Sequence, residues 1–596
     1  MDYYDFSGGM VNCKSPYLMK SDEVEDISNF EIENGGLTVR DGTKKIYGPF
    51  SNEVKGIHKL LSPKGHEILL VDTAPTAEIV VAGTNCNLTM HASGIQVIHT
   101  TGGYGFLFGG IGKTMLPLYR RCDGEITLEE PQNLCLFLEQ LEDDYTTDGD
   151  FPADLFGHHI IDSDTGVLYY CDNRTNASKE NIHELIKQAP FIRLGKIGGA
   201  VFMKYTAGSK ITVDMKKGYY EHTFFSISEM TSLSDIFPDV LDLPGVTQTA
   251  FSCKHFVWHP PSMRYFAAGN KKNPTALYIS EPNNWCSFSE VNVLYPHLNL
   301  GKITGLLVVE KSVVVCYEYG WSHYVGSDPT EDGQWSLLSV PNGTKFGSTI
   351  CLTPGSVSFY SNGELMSFSS SMLTVQMLYS PSSSLYKFLS KGKVTLPQSP
   401  NNAFAYYRQG KYYLVLDDKI LIYHVSSGAF TCYEGIACRC IAEDYSGRLL
   451  LGRGNYVVGF DAECHFDYQP ETDTDEPISY RVCFGVLPSV NENEIARCTQ
   501  MVVKVKGCFN HLDCEVKLSS EQECKAEKLE NTSHLIYGKS QWNHRYFHSD
   551  FTETRCTPNV SGNFFRLEIE GQTDVGQTEK FSVLNVYLEM KKERRK

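Results

Sequence analysis

The chain is predicted to be mainly β: a β-propeller preceded by an extended amino-terminal arm and followed by a β-sandwich. Three observations predict it. A hairpin pattern is written five times between residues 264 and 461. The composition, with 34 Tyr, 32 Phe and 50 Gly in 596 residues and few helical periods, is that of strands and tight turns. Apolar–charged alternation then resumes beyond an acidic, proline-bounded stretch near residue 470.

The five hairpins come first. Each is a short apolar run, a polar or glycine turn, and a second β-rich run. They open at Arg264, Ser312, Ser356, Lys411 and Arg448, so the spacings are 48, 44, 55 and 37 residues by subtraction. Propeller blades run at roughly 40–50 residues. A lone hairpin cannot bury its face in water, so five in series must stack on one another, and radial repetition does this. Fainter copies begin at Glu67, Tyr104 and Ala200. The propeller is therefore set at residues 50–465, with about six to eight blades. A stack of antiparallel sandwiches is the alternative. Residues 120–250 read as insertions and hold the helical candidates Pro131–Leu141 and Lys179–Gln188.

Residues 1–49 form the arm. Gly8-Gly9, Ser15-Pro16, Gly35-Gly36 and Asp41-Gly42 are turn formers between short patterned stretches. Such an arm is expected to lie on a surface, its own or a neighbour's. Residues 466–477 read as an acidic linker, 478–590 as the sandwich, and 591–596 as a basic, solvated tail. Within the sandwich, strands are expected at Ser479–Leu487, Gln500–Lys506, Asp513–Leu518, Phe564–Glu570 and Ser582–Met590, with a poorly patterned centre at 519–563.

The formal net charge is −18. Tight duplex binding needs a basic stripe, and none is present. No run approaches the roughly 18–20 apolar residues of a membrane helix, and the opening Met1-Asp2-Tyr3-Tyr4-Asp5 lacks the features of a secretory leader. The 19 cysteines are scattered singly and read as reduced, small apolar residues.

Candidate chemistry is sparse. Glycosidases need two carboxyls at a set separation, but Asp143-Asp144, Asp417-Asp418 and Glu443-Asp444 arise from composition, and Asp417-Asp418 suits a two-residue hairpin turn. Asp162-Ser163-Asp164 is a single, incomplete match to a sialidase aspartate box. Glu471, Asp473, Asp475 and Glu476 lack the glycine bend and distal glutamate of a calcium loop. Cys438 and Cys440 share a strand face and read as core rather than zinc ligands, and His158-His159 reads as loop or core. Trp285, Trp321 and Trp335 could stack sugars or close blade edges. No catalytic residue, cofactor or metal is expected.

The arm also carries a resemblance. Ser7-Gly8-Gly9-Met10-Val11-Asn12, Ser15-Pro16-Tyr17, Glu23 to Phe30, and Gly35-Gly36-Leu37 through Arg40-Asp41-Gly42 resemble the opening of bacteriophage short-tail nozzle or hub proteins, in which such an arm precedes a propeller. Arg40-Asp41-Gly42 stands where that group has arginine-proline-glycine. The passage Ser280-Glu281-Pro282, the run from Gly301 and the opening Ile478-Ser479-Tyr480-Arg481 are similar to the same group; residues 120–250 are not. The resemblance implies a virion structural protein assembled in the host cytoplasm. It implies a homo-hexameric ring around a channel for passing viral DNA, joined to an adaptor or portal assembly and to fibres or spikes. On it, Gly8, Gly9, Arg40, Asp41 and Gly42 are the expected assembly contacts. The alternative is a propeller that binds or cleaves glycan in a receptor-binding tail subunit.

Overall fold

The computed structural model describes residues 2–3, 5–50, 52–61, 253–281, 284–326, 335–370, 386–488, 495–506, 513–529, 552–573 and 580–592, residues 250 and 329, and a set of strands between residues 67 and 226. It is mainly β, built of several sheets. The chain divides into two compact units: residues 1–46, 344–441 and 448–596 form one, and residues 47–343 and 442–447 the other.

The second unit is a series of small sheets. Gly56–Leu61, Glu67–Asp72, Ala77–Val81 and Thr84–Leu88 form a four-stranded meander, and Ile95–Thr101, Tyr104–Ile111 and Thr114–Arg121 a three-stranded one. Asp144–Thr146, His159–Ile161, Val167–Cys171 and Phe191–Lys196 follow, with the first pair parallel. Then come His255–His259 through Asn284–Leu294, and Ile303–Val309 through Trp335–Leu337, each four-stranded. Phe266, Leu277, Ile279, Val313, Val315 and Tyr324 from these last two sheets share one apolar cluster. Each such side chain, once fully buried, contributes about 1.5–3 kcal/mol.

The first unit continues the series. Cys351–Thr353 to Tyr386–Phe388 make one four-stranded sheet, and Ala403–Arg408 to Phe430–Tyr433 another. All five predicted hairpins pair antiparallel. Their turns are made as the residues dictate. Asp417-Asp418 links Leu416 to Lys419 with Asp417 at φ 54°. Asn362-Gly363 links Ser361 to Glu364 with both residues left-handed, at 49° and 82°, the backbone that Asn-Gly adopts most readily.

The two ends of the chain meet in a sheet that the sequence reading did not place. In a six-stranded sheet the last five strands run Leu449–Arg453, Tyr456–Asp461, Gly42–Tyr47, Phe466–Gln469 and Thr474–Pro477. A strand of the arm thus lies between the fifth hairpin and residues 466–477. Those residues are not a linker: they form an antiparallel hairpin, Phe466 opposite Pro477 and Gln469 opposite Thr474. Net acidity suggested a solvated tether, but Phe466-Asp467-Tyr468 alternates in strand fashion and finds cations to face.

Two seven-stranded sheets follow. One runs Phe30–Glu33, Gly36–Val39, Ser582–Lys592, Ala496–Lys506, Thr552–Cys556, with Asp2–Tyr3 and Val560–Gly562 added at its side. The other runs Gly9–Met10, Glu23–Ser28, Ser479–Phe484, Phe564–Gln572, Asp513–Ser520, Cys524–Lys528, with Leu487–Pro488 added. Alternate residues of both, among them Val503, Val583, Val586, Val516, Leu567 and Ile569, enter one core with Phe6, Val24, Ile27, Phe30 and Leu37 of the arm. The arm is therefore woven into three sheets rather than laid on a surface. Its short apolar runs bury best as strands added to sheets already one-sided. The poorly patterned centre supplies Cys524–Lys528 and Thr552–Cys556. The helical candidates lie outside the described residues, except that Asn133–Leu134 is a strand; the hairpin beginning at Ala200 also lies outside them.

Candidate functional site

A dense polar constellation lies where the arm meets the rest of the first unit. The arm turns at Asn29, whose left-handed backbone (φ 60°) is one that Asn tolerates. Its backbone N–H donates to Cys432 O at 2.8 Å. Its side-chain amide donates to Glu434 O at 3.1 Å and Ser479 O at 2.7 Å, while Oδ1 accepts from Glu434 N at 2.9 Å and Arg40 Nε at 2.8 Å. One amide thus ties together the arm, the strand ending at Tyr433 and the first strand of the carboxy-terminal sheets.

Arg40 is 1% exposed. Its guanidinium reaches Asp467 in a bidentate pair, Nη1 to Oδ1 at 3.0 Å and Nη2 to Oδ2 at 2.5 Å, and Nη1 also donates to Asp41 O at 2.9 Å. Thr43 Oγ1 donates to the same Asp467 Oδ1 at 3.0 Å. The Tyr433 ring lies 5.4 Å from the guanidinium carbon. A buried pair of this kind is costly to desolvate, but removing one partner leaves a charge without compensation, at about 3–5 kcal/mol.

Beside it, Glu31 accepts from Lys411 Nζ at 2.7 Å and from the Tyr433 hydroxyl. Burial alone would raise the Glu31 carboxyl; Lys411 and the Tyr433 hydroxyl hold it below the usual range. Burial, and then the Glu31 carboxylate, push Tyr433 well above the ordinary phenol value. His424, opposite Lys411 across the strands, is pushed down to about 4 by burial and then by Lys411. These groups join arm to sheet. An adjoining open cleft of roughly 460 Å³ is lined by Ser28, Glu434 and Ser479 together with Arg481, Glu515 and Glu570.

The five arm residues expected at assembly contacts are engaged within the chain. Gly8 N–H donates to Asp22 O at 3.0 Å. A Cβ on Gly9 would lie 2.8 Å from Ala429 Cβ. Arg40 pairs with Asp467 and Asp41 with Lys580. A Cβ on Gly42 would lie 2.1 Å from Phe466 O. The sequence reading missed Asn29, Glu31, Lys411, Tyr433 and Asp467, whose roles are set by contacts hundreds of residues apart. The one local signal was Asp467 flanked by two aromatics.

Other candidates resolve plainly. Trp321 is fully buried and donates to Asn342 O at 2.8 Å, so it offers no face to a sugar. Trp335 packs at 5.2 Å on Tyr324; Trp285 lies in the strand Asn284–Leu294. Asp444 accepts from Ser446 Oγ in a turn. Cys438 is buried and Cys440 half-buried, and neither forms a disulfide. Asp162 to Asp164, Asp143 and His158 lie outside the described residues. Among the described residues no three His, Cys, Asp or Glu side chains gather as metal ligands, and no helix is long and apolar enough to cross a membrane.

No protein-family model matches the chain, and no curated protein sequence matches it. Solved structures that resemble it include BBS1N in complex with ARL6DN, with 9% identity and a TM-score of 0.32 over 71% of this chain and 96% of that one. The AfRom2 CNH domain gives 9% and 0.33 over 70% and 99%. PorZ of the Porphyromonas gingivalis type-IX secretion system gives 9% and 0.26 over 97% and 76%. Likenesses at these scores bear on neither architecture in detail nor function.

Proposed function

We propose that this chain is a structural component of a bacteriophage tail, of the nozzle or hub kind, in which the serial sheets close radially as a propeller and the two seven-stranded sheets stack as a sandwich. The observation that carries the reading is the arm. The residues that resemble the short-tail group, from Ser7 to Gly42, are the ones that add strands to both seven-stranded sheets and lead into the strand beside the fifth hairpin. A last sheet completed by a strand from the opposite chain end is a way in which a radial series is closed. Stitching of this kind suits a part that bears load and performs no chemistry. The net charge of −18 is in keeping with a wall that does not grip passing phosphates.

Adaptor or portal proteins, fibres or spikes, and further copies of the chain in a ring are the partners of this reading. The test is quantitative mass spectrometry of density-purified phage particles from the source culture. A copy number about half that of a dodecameric portal supports a sixfold tail ring. Absence from particles overturns the reading and turns attention to glycan binding.

A further inference from the structure

The strand Gly42–Tyr47 and its approach carry three cations, and each meets an acid from a neighbouring strand or hairpin turn. Arg40 pairs with Asp467, Lys44 with Asp461, and Lys45 reaches Asp473 at 3.4 Å. Asp461 ends the strand on one side; Asp467 and Asp473 belong to the hairpin 466–477 on the other. That hairpin holds five acids, Asp467, Glu471, Asp473, Asp475 and Glu476, and no Lys or Arg of its own. Its outer strand Thr474–Pro477 is exposed throughout. Like charges so close repel, so the hairpin depends on cations supplied from outside it. Arg453 supplies another, donating to Tyr468 O at 2.9 Å and Gln469 Oε1 at 2.8 Å.

The backbone holds this junction lightly. Between the arm strand and the hairpin the parallel register is a single pair, Thr43 opposite Asp467, with Gly42 N–H donating to Cys464 O at 2.8 Å alongside. The rest of the hold is side-chain: the ion pairs, Thr43 on Asp467, the Lys45 ammonium 4.6 Å from the Tyr456 ring and 5.6 Å from that of Tyr468, and one apolar anchor, Tyr468, which packs in a cluster with Tyr456, Leu449 and Val458. The earlier arm strands are different. They sit in long ladders over an apolar core.

We infer that residues 466–477 form an ionic clasp over the strand Gly42–Tyr47, a clasp that opens as a local unit while the two seven-stranded sheets stay folded. Closed, the clasp keeps the arm strand against Tyr456–Asp461. Open, it frees that strand's backbone donors and acceptors, an edge able to take up a strand from another chain. Segments with short backbone pairing and a solvent-exposed outer strand open at lower free energy than the global transition. Here the lock is the Arg40–Asp467 pair.

The test is amide hydrogen exchange by mass spectrometry on the full chain, comparing wild type, Asp467→Asn and the double variant Lys44→Gln/Lys45→Gln. Asp467→Asn is expected to speed exchange at least ~100-fold at 42–47 and 466–477. The double variant, which touches only outer pairs, is expected to speed the same segments a few-fold. In both, Ala496–Lys506 and Phe564–Gln572 keep wild-type rates. The inference is overturned if those strands accelerate in step with the clasp, if the clasp does not accelerate, or if Asp467→Asn fails to fold. The last result would show that the pair holds the whole unit.

Discussion

Phe30→Ala measures how far the arm belongs to the core. Phe30 is fully buried. Its ring meets Tyr480 edge-on at 5.2 Å and lies 6.3 Å from Phe581, while Tyr480 and Phe581 stack at 5.0 Å. The three rings come from the arm, from the strand Ser479–Phe484 and from the residue before Ser582–Lys592. Truncating a buried Phe costs about 3–5 kcal/mol, including the aromatic edges. At 1.4 kcal/mol per tenfold, that is roughly a 150- to 4,000-fold rise in the opened population. The assay is the rate at which Cys498 and Cys514, buried thiols of the two seven-stranded sheets, react with a thiol reagent without denaturant. Leu18→Ala is the control; Leu18 is 74% exposed and its loss is expected to stay within about 0.5 kcal/mol. If Phe30→Ala changes the Cys498 and Cys514 rates by less than about tenfold, the arm is a dispensable surface strap and the reasoning fails.

Two further outcomes follow from the same junction. Glu31 has its carboxyl held below the ordinary value, so its stabilisation is complete above the unfolded carboxylate range and is lost as pH falls through the lower, folded value. Glu31→Gln is expected to cost about 1–3 kcal/mol at neutral pH and to flatten the acid limb of a stability–pH curve; an unchanged acid limb refutes the assignment. Gly42→Ala sets a Cβ 2.1 Å from Phe466 O and 2.9 Å from Cys464 O, both backbone. It is expected to cost about 3 kcal/mol or more. Gly355→Ala, with nothing within 4 Å but φ 68°, is expected to cost only about 1 kcal/mol. Equal losses in denaturant titration would contradict the close approach at Gly42.

The five hairpins were legible because each is a local matter. Alternation, β-branched and aromatic residues, and turns such as Asn362-Gly363 and Asp417-Asp418 fix pairing within a dozen residues. The strands after residue 478 were legible for the same reason: four of the five predicted ones begin at the observed residue, and the fifth, Gln500–Lys506, shares its end with Ala496–Lys506. The apolar runs of the arm were visible too. Their destination was not: Phe30 against Tyr480, Arg40 against Asp467 and Lys411 against Glu31 span hundreds of residues, and no local pattern encodes a partner so distant.

The acidic stretch at 466–477 shows where the division falls. The sequence by itself determined that the chain is mainly β, where its local hairpins turn, and that this stretch is rich in like charge. Only the tertiary structure decided that the stretch is a hairpin, that Asp467 is buried, and that the arm supplies the cations beside it. The physical reason is that periodicity and turn chemistry act through neighbours in the chain, whereas compensation of a buried charge depends on which group the fold brings within 3 Å of it.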